Sequence, residues 1–95
     1  MKVLIAGRRQ DLMDTTLAQV RNDGFEAVGH IEDEKIVEEL KIGSYDVLAI
    51  GDGVEPDSKV NFRQVVADHS PDTRVLEICG PDTLLPGLRK LRQNE

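Results

Sequence analysis

Four short apolar runs recur along this chain, each followed by a longer stretch in which apolar residues return at helical spacing. Residues 2 to 6, "KVLIA", and residues 45 to 51, "YDVLAIG", are nearly continuous apolar runs, the pattern of strands covered on both faces. Residues 25 to 31, "FEAVGHI", and residues 73 to 80, "TRVLEICG", are more polar, carrying Glu26, His30, Arg74 and Glu77. After the first run, Leu12 or Met13, Leu17 and Val20 mark a helix over about Leu12 to Asn22, with Asp11 or Asp14 as its expected cap and Gly24 as its stop. Ile36, Val37 and Leu40 form the stripe of a second helix in "DEKIVEELKIG". Phe62, Val65 and Val66 face inward from a third, about Ser58 to His69, after the turn formers "DGVEPDS". Leu84, Leu85, Leu88 and Leu91 line a fourth over about residues 83 to 93, where Pro86 is tolerable only near the first turn.

Four β-α units in series specify an α/β protein: a three-layer (βα)4 fold with a four-stranded parallel sheet and helices on both faces. Right-handed crossovers leave few topologies. The fully apolar first and third strands belong at the centre and the more polar second and fourth at the edges, which favours strand order 2-1-3-4 over 3-2-1-4. Residues 1–95 are expected to form a single domain, because 95 residues give room for one core.

Charge narrows the partners. Eighteen acidic against twelve basic residues give a net charge of -6 and a pI near 4.8, which argues against nucleic acid and anionic membranes. Protein partners and small molecules remain. The one cysteine, Cys79, has no second thiol to pair with and reads as a packing residue. Neither a secretory pattern nor a long apolar span is present, so a cytoplasmic location is expected.

In open α/β sheets, ligands bind beyond the carboxyl ends of the strands where strand order reverses. With order 2-1-3-4 that point lies between strands one and three, so Gly7, Arg8, Arg9, Gln10, Gly51, Asp52 and Gly53 are the expected ligand-binding residues, bordered by Gly80 and Asp82. Arg8 and Arg9 suit an anion through guanidinium forks beside a helix N-terminus. The bland alternative makes them solvated loop residues balancing Asp11, Asp14 and Asp52. "AGRRQD" lacks the G-x-G-x-x-G spacing, and no G-x-x-x-x-G-K-[ST] loop occurs, so no nucleotide cofactor is expected. Cys79 has neither His30 nor His69 nearby, and no catalytic residue is assigned. Asp52, Glu55, Asp57 and Asp82 offer oxygen ligands for a hard cation, but they read as turn caps, and no metal is expected.

The segments "VLIAGRRQDLMDTTLAQVRNDGFEAV" and "SYDVLAIGDGVEP", and more weakly "SPDTRVLEICG", resemble the receiver domains of bacterial two-component response regulators, a CheY-like, flavodoxin-like family. The resemblance spans most of residues 3 to 80. It implies an acidic pair after strand one that holds magnesium, an aspartate ending strand three that accepts phosphate, a hydroxyl residue ending strand four, and a lysine ending strand five. The matching positions here are Gly7 and Arg8, Gly51 and Cys79; the lysine and the fifth strand have no counterpart, so the likeness is to a degenerate receiver. Asp52 reaches the acceptor position only through a one-residue slip of strand three, which would exchange its faces. The four-strand plan also resembles the IIB subunits of sugar phosphotransferase systems, whose cysteine follows strand one; Gly7, Arg8 and Arg9 stand there instead.

The leading reading is a non-catalytic regulatory or protein-interaction domain, with Arg8 and Arg9 recognising an acidic partner or small anion. The alternative is a small module or enzyme acting on a phosphate- or carboxylate-bearing ligand in the same crevice, with Asp52 as general acid or base. For assembly, the apolar edge of strand four invites pairing with a second copy, a homodimer sealed by Leu84, Leu85 and Leu88. The competing expectation folds the last helix back over its own sheet and leaves the edge solvated.

Overall fold

The computed structural model describes residues 1–51, 53–78 and 84–93. Four strands, β1 (Lys2–Ala6), β2 (Glu26–His30), β3 (Val47–Ile50) and β4 (Arg74–Glu77), alternate with helices α1 (Gln10–Asn22), α2 (Asp33–Ile42), α3 (Pro56–His69) and α4 (Leu84–Gln93). All strand pairs are parallel and their order is β2-β1-β3-β4, as the distribution of polar residues predicts.

Strand alternation divides the core into two layers. Val3 and Ile5 of β1 and Val47 and Ala49 of β3 face α1 and α4, where they pack with Met13, Val20, Leu84 and Leu88. Leu4 and Ala6 of β1 and Leu48 and Ile50 of β3 face α2 and α3, meeting Ile36, Leu40, Phe62 and Val66. Both faces of the two central strands are therefore buried, which is why their sequences lack a polar alternate. At the edges, β2 and β4 keep Glu26, Arg74 and Glu77 in solvent.

Element boundaries depart from the sequence expectation in physically instructive ways. Helix α1 begins two residues early, at Gln10, because the carbonyl of Arg9 already accepts the Met13 N–H at 2.9 Å. Arg9 is the N-cap and makes no side-chain cap; Asp11 lies inside the first turn and Asp14 instead accepts from Gln10 Nε2 at 2.8 Å. Helix α3 also starts early, at Pro56, whose fixed φ and missing N–H suit the first helical position. Strands β2 and β3 are shorter than their apolar runs: Phe25, Ile31 and Tyr45 fall outside them, although Phe25 and Tyr45 are buried. The β4 ladder is continued by Ile78, whose N–H donates to Ile50 O at 2.9 Å; Cys79 and Gly80 lie outside the described residues. Gly24 sits at φ +94 after α1, in the left-handed region that favours glycine, and turns the chain into β2.

Helix α4 lies back over its own sheet on the α1 side. Leu84 and Leu88 are fully buried there, while Leu85 and Leu91 are half-buried against the same layer. Arg89 grips Asp23 with two hydrogen bonds of 2.8 and 2.9 Å, and Arg92 stacks 4.6 Å from the centre of the Phe25 ring. Of the three leucines expected at a dimer seam, two are thus occupied within the chain. The free edge of β4 is short, and Glu77 on it is paired with Lys59 and Arg63 of α3. Among the described residues, no helix is long and apolar enough to cross a membrane.

Candidate functional site

Gly7, Arg8, Arg9, Gly51 and Gly53 line one crevice, but the alternation that builds the core turns the Arg8 guanidinium out of it toward the opposite face. Continuing β1, Arg8 shares the parity of Leu4 and Ala6 and turns toward α2 and α3. Gly7 shares the parity of Ile5 and faces α1, where a Cβ added to it would stand 3.1 Å from Met13 Cε. Gly51 extends β3 on that α1 side and ties the two strand ends together by donating its N–H to Ala6 O at 2.8 Å.

On its own side, Arg8 closes the gap between the N-termini of α2 and α3. Nε and Nη2 both donate to the Glu55 carboxylate, at 3.1 and 2.6 Å to Oε2. Nη1 donates to Ile31 O at 3.0 Å, and Nη2 reaches Ser58 Oγ at 3.2 Å. Asp33 Oδ1, shielded from water, lies 2.6 Å from Nη2 but off the N–H axis, a charge contact rather than a directed hydrogen bond. The other Asp33 oxygen accepts from Ser58 Oγ at 2.6 Å. Every nitrogen of the guanidinium is engaged, so Arg8 acts as a clasp between two helices.

Electrostatics follow from this geometry. Hydrogen bonding from Arg8, then from the Glu55 backbone N–H, holds the Glu55 carboxyl down to about 2, while the same carboxylate raises Arg8 above its ordinary value. Replacing Arg8 with Met is expected to lower stability at neutral pH by about 1–2 kcal/mol, a modest figure because water screens these partners. The Glu55 contribution is fully present above its ordinary value of 4.5 and is lost as pH falls through about 2. Urea melts should therefore find the gap between wild type and Arg8→Met narrowing from about pH 5 to pH 2. A gap constant across that range would show that the clasp carries no linkage.

Arg9 lines the same crevice as Arg8 but takes no part in the clasp. It points into solvent and pairs with Asp11 at 2.8 Å, a hydrogen bond that lowers the Asp11 carboxyl below its ordinary value. Gln10 is spent on Asp14 and lies away from the strand ends. Asp52 lies outside the described residues. Gly7, Gly51 and Gly53 come together as the floor of a small pocket of about 130 Å³ on the α1 side, which Arg8 and Arg9 also line and which is walled by Ile5, Leu12, Met13, Thr16 and Ile78. Gly7, Arg8, Arg9, Gly51 and Gly53 are legible in the sequence as neighbours at this crevice; its apolar walls are not, although the helical spacing of Leu12, Met13 and Thr16 places those residues together. Among the described residues, no group of three or more histidine, cysteine, aspartate or glutamate side chains is arranged to hold a metal ion.

No family model matches the chain, and no curated protein matches it by sequence. Among solved structures, the receiver domain of the hybrid histidine kinase CckA superposes with a TM-score of 0.67. The alignment covers 95% of this chain and 97% of that one. The fold is receiver-like. At 12% identity the likeness carries architecture, and the role of each residue has to come from its own surroundings. A de novo designed Rossmann fold protein superposes with a TM-score of 0.64 at 14% identity, covering 95% of this chain and 94% of that chain. The second match underlines how generic this layering of helices on a parallel sheet is.

Proposed function

We propose that this is a regulatory domain with a receiver-like fold that neither binds a divalent cation nor accepts a phosphoryl group at its strand ends. One observation carries the reading: Arg8, at a position where the receiver resemblance implies a magnesium-holding acid, is locked onto Glu55 and Asp33. A hard cation needs several oxygen ligands with uncompensated charge. Here a guanidinium pairs with the Asp33 and Glu55 carboxylates and offsets part of their charge. Gly7 and Gly51, at the other acid position and the acceptor position, contribute no side chain. Output then rests on contact with a protein partner rather than on chemistry, in the cytoplasm, where Cys79 stays a thiol.

Manganese titration followed by amide line broadening tests the cation half of this reading. The amides of Gly7, Arg8 and Gly51 are expected to broaden no earlier than those beside the exposed acids of α2. Selective loss of those three at stoichiometric manganese would overturn the proposal.

A further inference from the structure

Arg8 and Arg9 both line the pocket on the α1 side, but the Arg8 guanidinium is held by Glu55 and Asp33 and that of Arg9 by Asp11, so the pocket's character differs from that of the anion site expected at the strand ends. Among the described residues, its walls are aliphatic or thioether side chains, Ile5, Leu12, Met13 and Ile78, with Thr16 Oγ1 as the one side-chain hydroxyl. Both neighbouring guanidinium groups are engaged elsewhere, Arg8 on the opposite face of the sheet and Arg9 by Asp11. The site therefore offers an anion no unpaired side-chain cation. Leu12, 45% exposed and one of only three large apolar side chains so exposed among the described residues, stands at this pocket and not on a random patch of surface. Met13 beside it is an adaptable side chain of the kind that refits around varied apolar shapes.

From this we infer that the pocket between α1 and the ends of β1 and β3 is a binding site for a small, uncharged ring compound, of the size and polarity of benzene or phenol. Size supports the class: about 130 Å³ is close to the roughly 150 Å³ of an apolar cavity that takes up benzene. The glycine floor supports it too, since a side chain at Gly7 would press on Met13 and use the space a ring needs. Thr16 gives a phenolic hydroxyl a hydrogen-bond partner at the helix wall. The inference requires only the fold and these walls, so it fails or stands independently of the proposal that the strand ends are inert to phosphate.

Benzene and phenol, titrated separately into the whole protein and followed by amide and methyl NMR, provide the test, with inorganic phosphate as the competing probe. Saturable shifts are expected in the millimolar range at Gly7, Leu12, Met13, Thr16 and Gly51, with intermolecular contacts from the ring protons to the Met13 methyl. Thr16→Leu, which fills the pocket from a helix position suited to leucine, should abolish them. Gly7→Ala, whose Cβ would stand 3.1 Å from Met13 Cε, narrows the same space from the floor and serves if the first variant folds poorly. Absence of saturable shifts with both rings, shifts that persist undiminished in a folded filled variant, or a stronger response of the same amides to phosphate would each overturn the assignment.

Discussion

Truncating Phe62 to alanine is expected to destabilise the protein by about 3–5 kcal/mol, the range for removing a fully buried aromatic ring. Phe62 is the largest of the side chains with no accessible surface, and it fills the layer between α2, α3 and the sheet beside Leu4, Leu48, Ile36 and Leu40. With aromatic residues at only 3% of the chain, no second ring lies in that layer except Tyr45, which is tied to Glu39 through its hydroxyl. The cavity left behind would have to be closed by a short sheet whose neighbours are already in contact. A domain of this size has about 5–15 kcal/mol in total, so the variant should melt near the edge of its folded range. Urea denaturation followed by circular dichroism gives the value. Val60→Ala on the same helix, 68% exposed, is the control and should stay within about 0.5 kcal/mol of wild type.

Leu88→Ala is expected to cost about 2–5 kcal/mol, for a reason that also bears on assembly. Leu88 is fully buried beneath α4, and with Leu84 it supplies the apolar contact that docks the helix on the α1 side. Arg89 and Arg92 are themselves exposed, so the ion pair to half-buried Asp23 and the stack on the buried Phe25 ring cannot hold the helix alone. Because the contact is made within one chain, the loss should be independent of protein concentration. If Leu88 instead sealed a seam between two copies, the destabilisation would grow on dilution as the assembly came apart.

Much of the architecture was legible because it rests on simple periodicities. The unbroken apolar character of "KVLIA" and "YDVLAIG" put β1 and β3 at the centre, and the charges in β2 and β4 put those strands at the edges. Helix starts were less legible, since Arg9 ends up as an N-cap with no capping side chain and Pro56 begins α3 within a segment rich in turn formers. The site was half legible. Gly7, Arg8, Arg9, Gly51 and Gly53 converge as the strand order requires, whereas the Arg8 guanidinium departs for the other face. That departure was available in the parity of residues 4, 6 and 8 along β1. Its partners were not, because Asp33 and Glu55 lie 25 and 47 positions away and meet Arg8 only when the starts of α2 and α3 gather at one end of the sheet.

The proposal that Arg8 stands where the receiver resemblance implies a carboxylate, and that the strand ends therefore accept no phosphoryl group, is tested most directly by offering the protein the reaction. Incubation with acetyl phosphate and magnesium, followed by intact-mass measurement and mapping of any acyl phosphate by hydroxylamine sensitivity, is predicted to leave the mass unchanged. Stoichiometric gain of one phosphoryl group on Asp52, dependent on magnesium and removed by hydroxylamine, would contradict it.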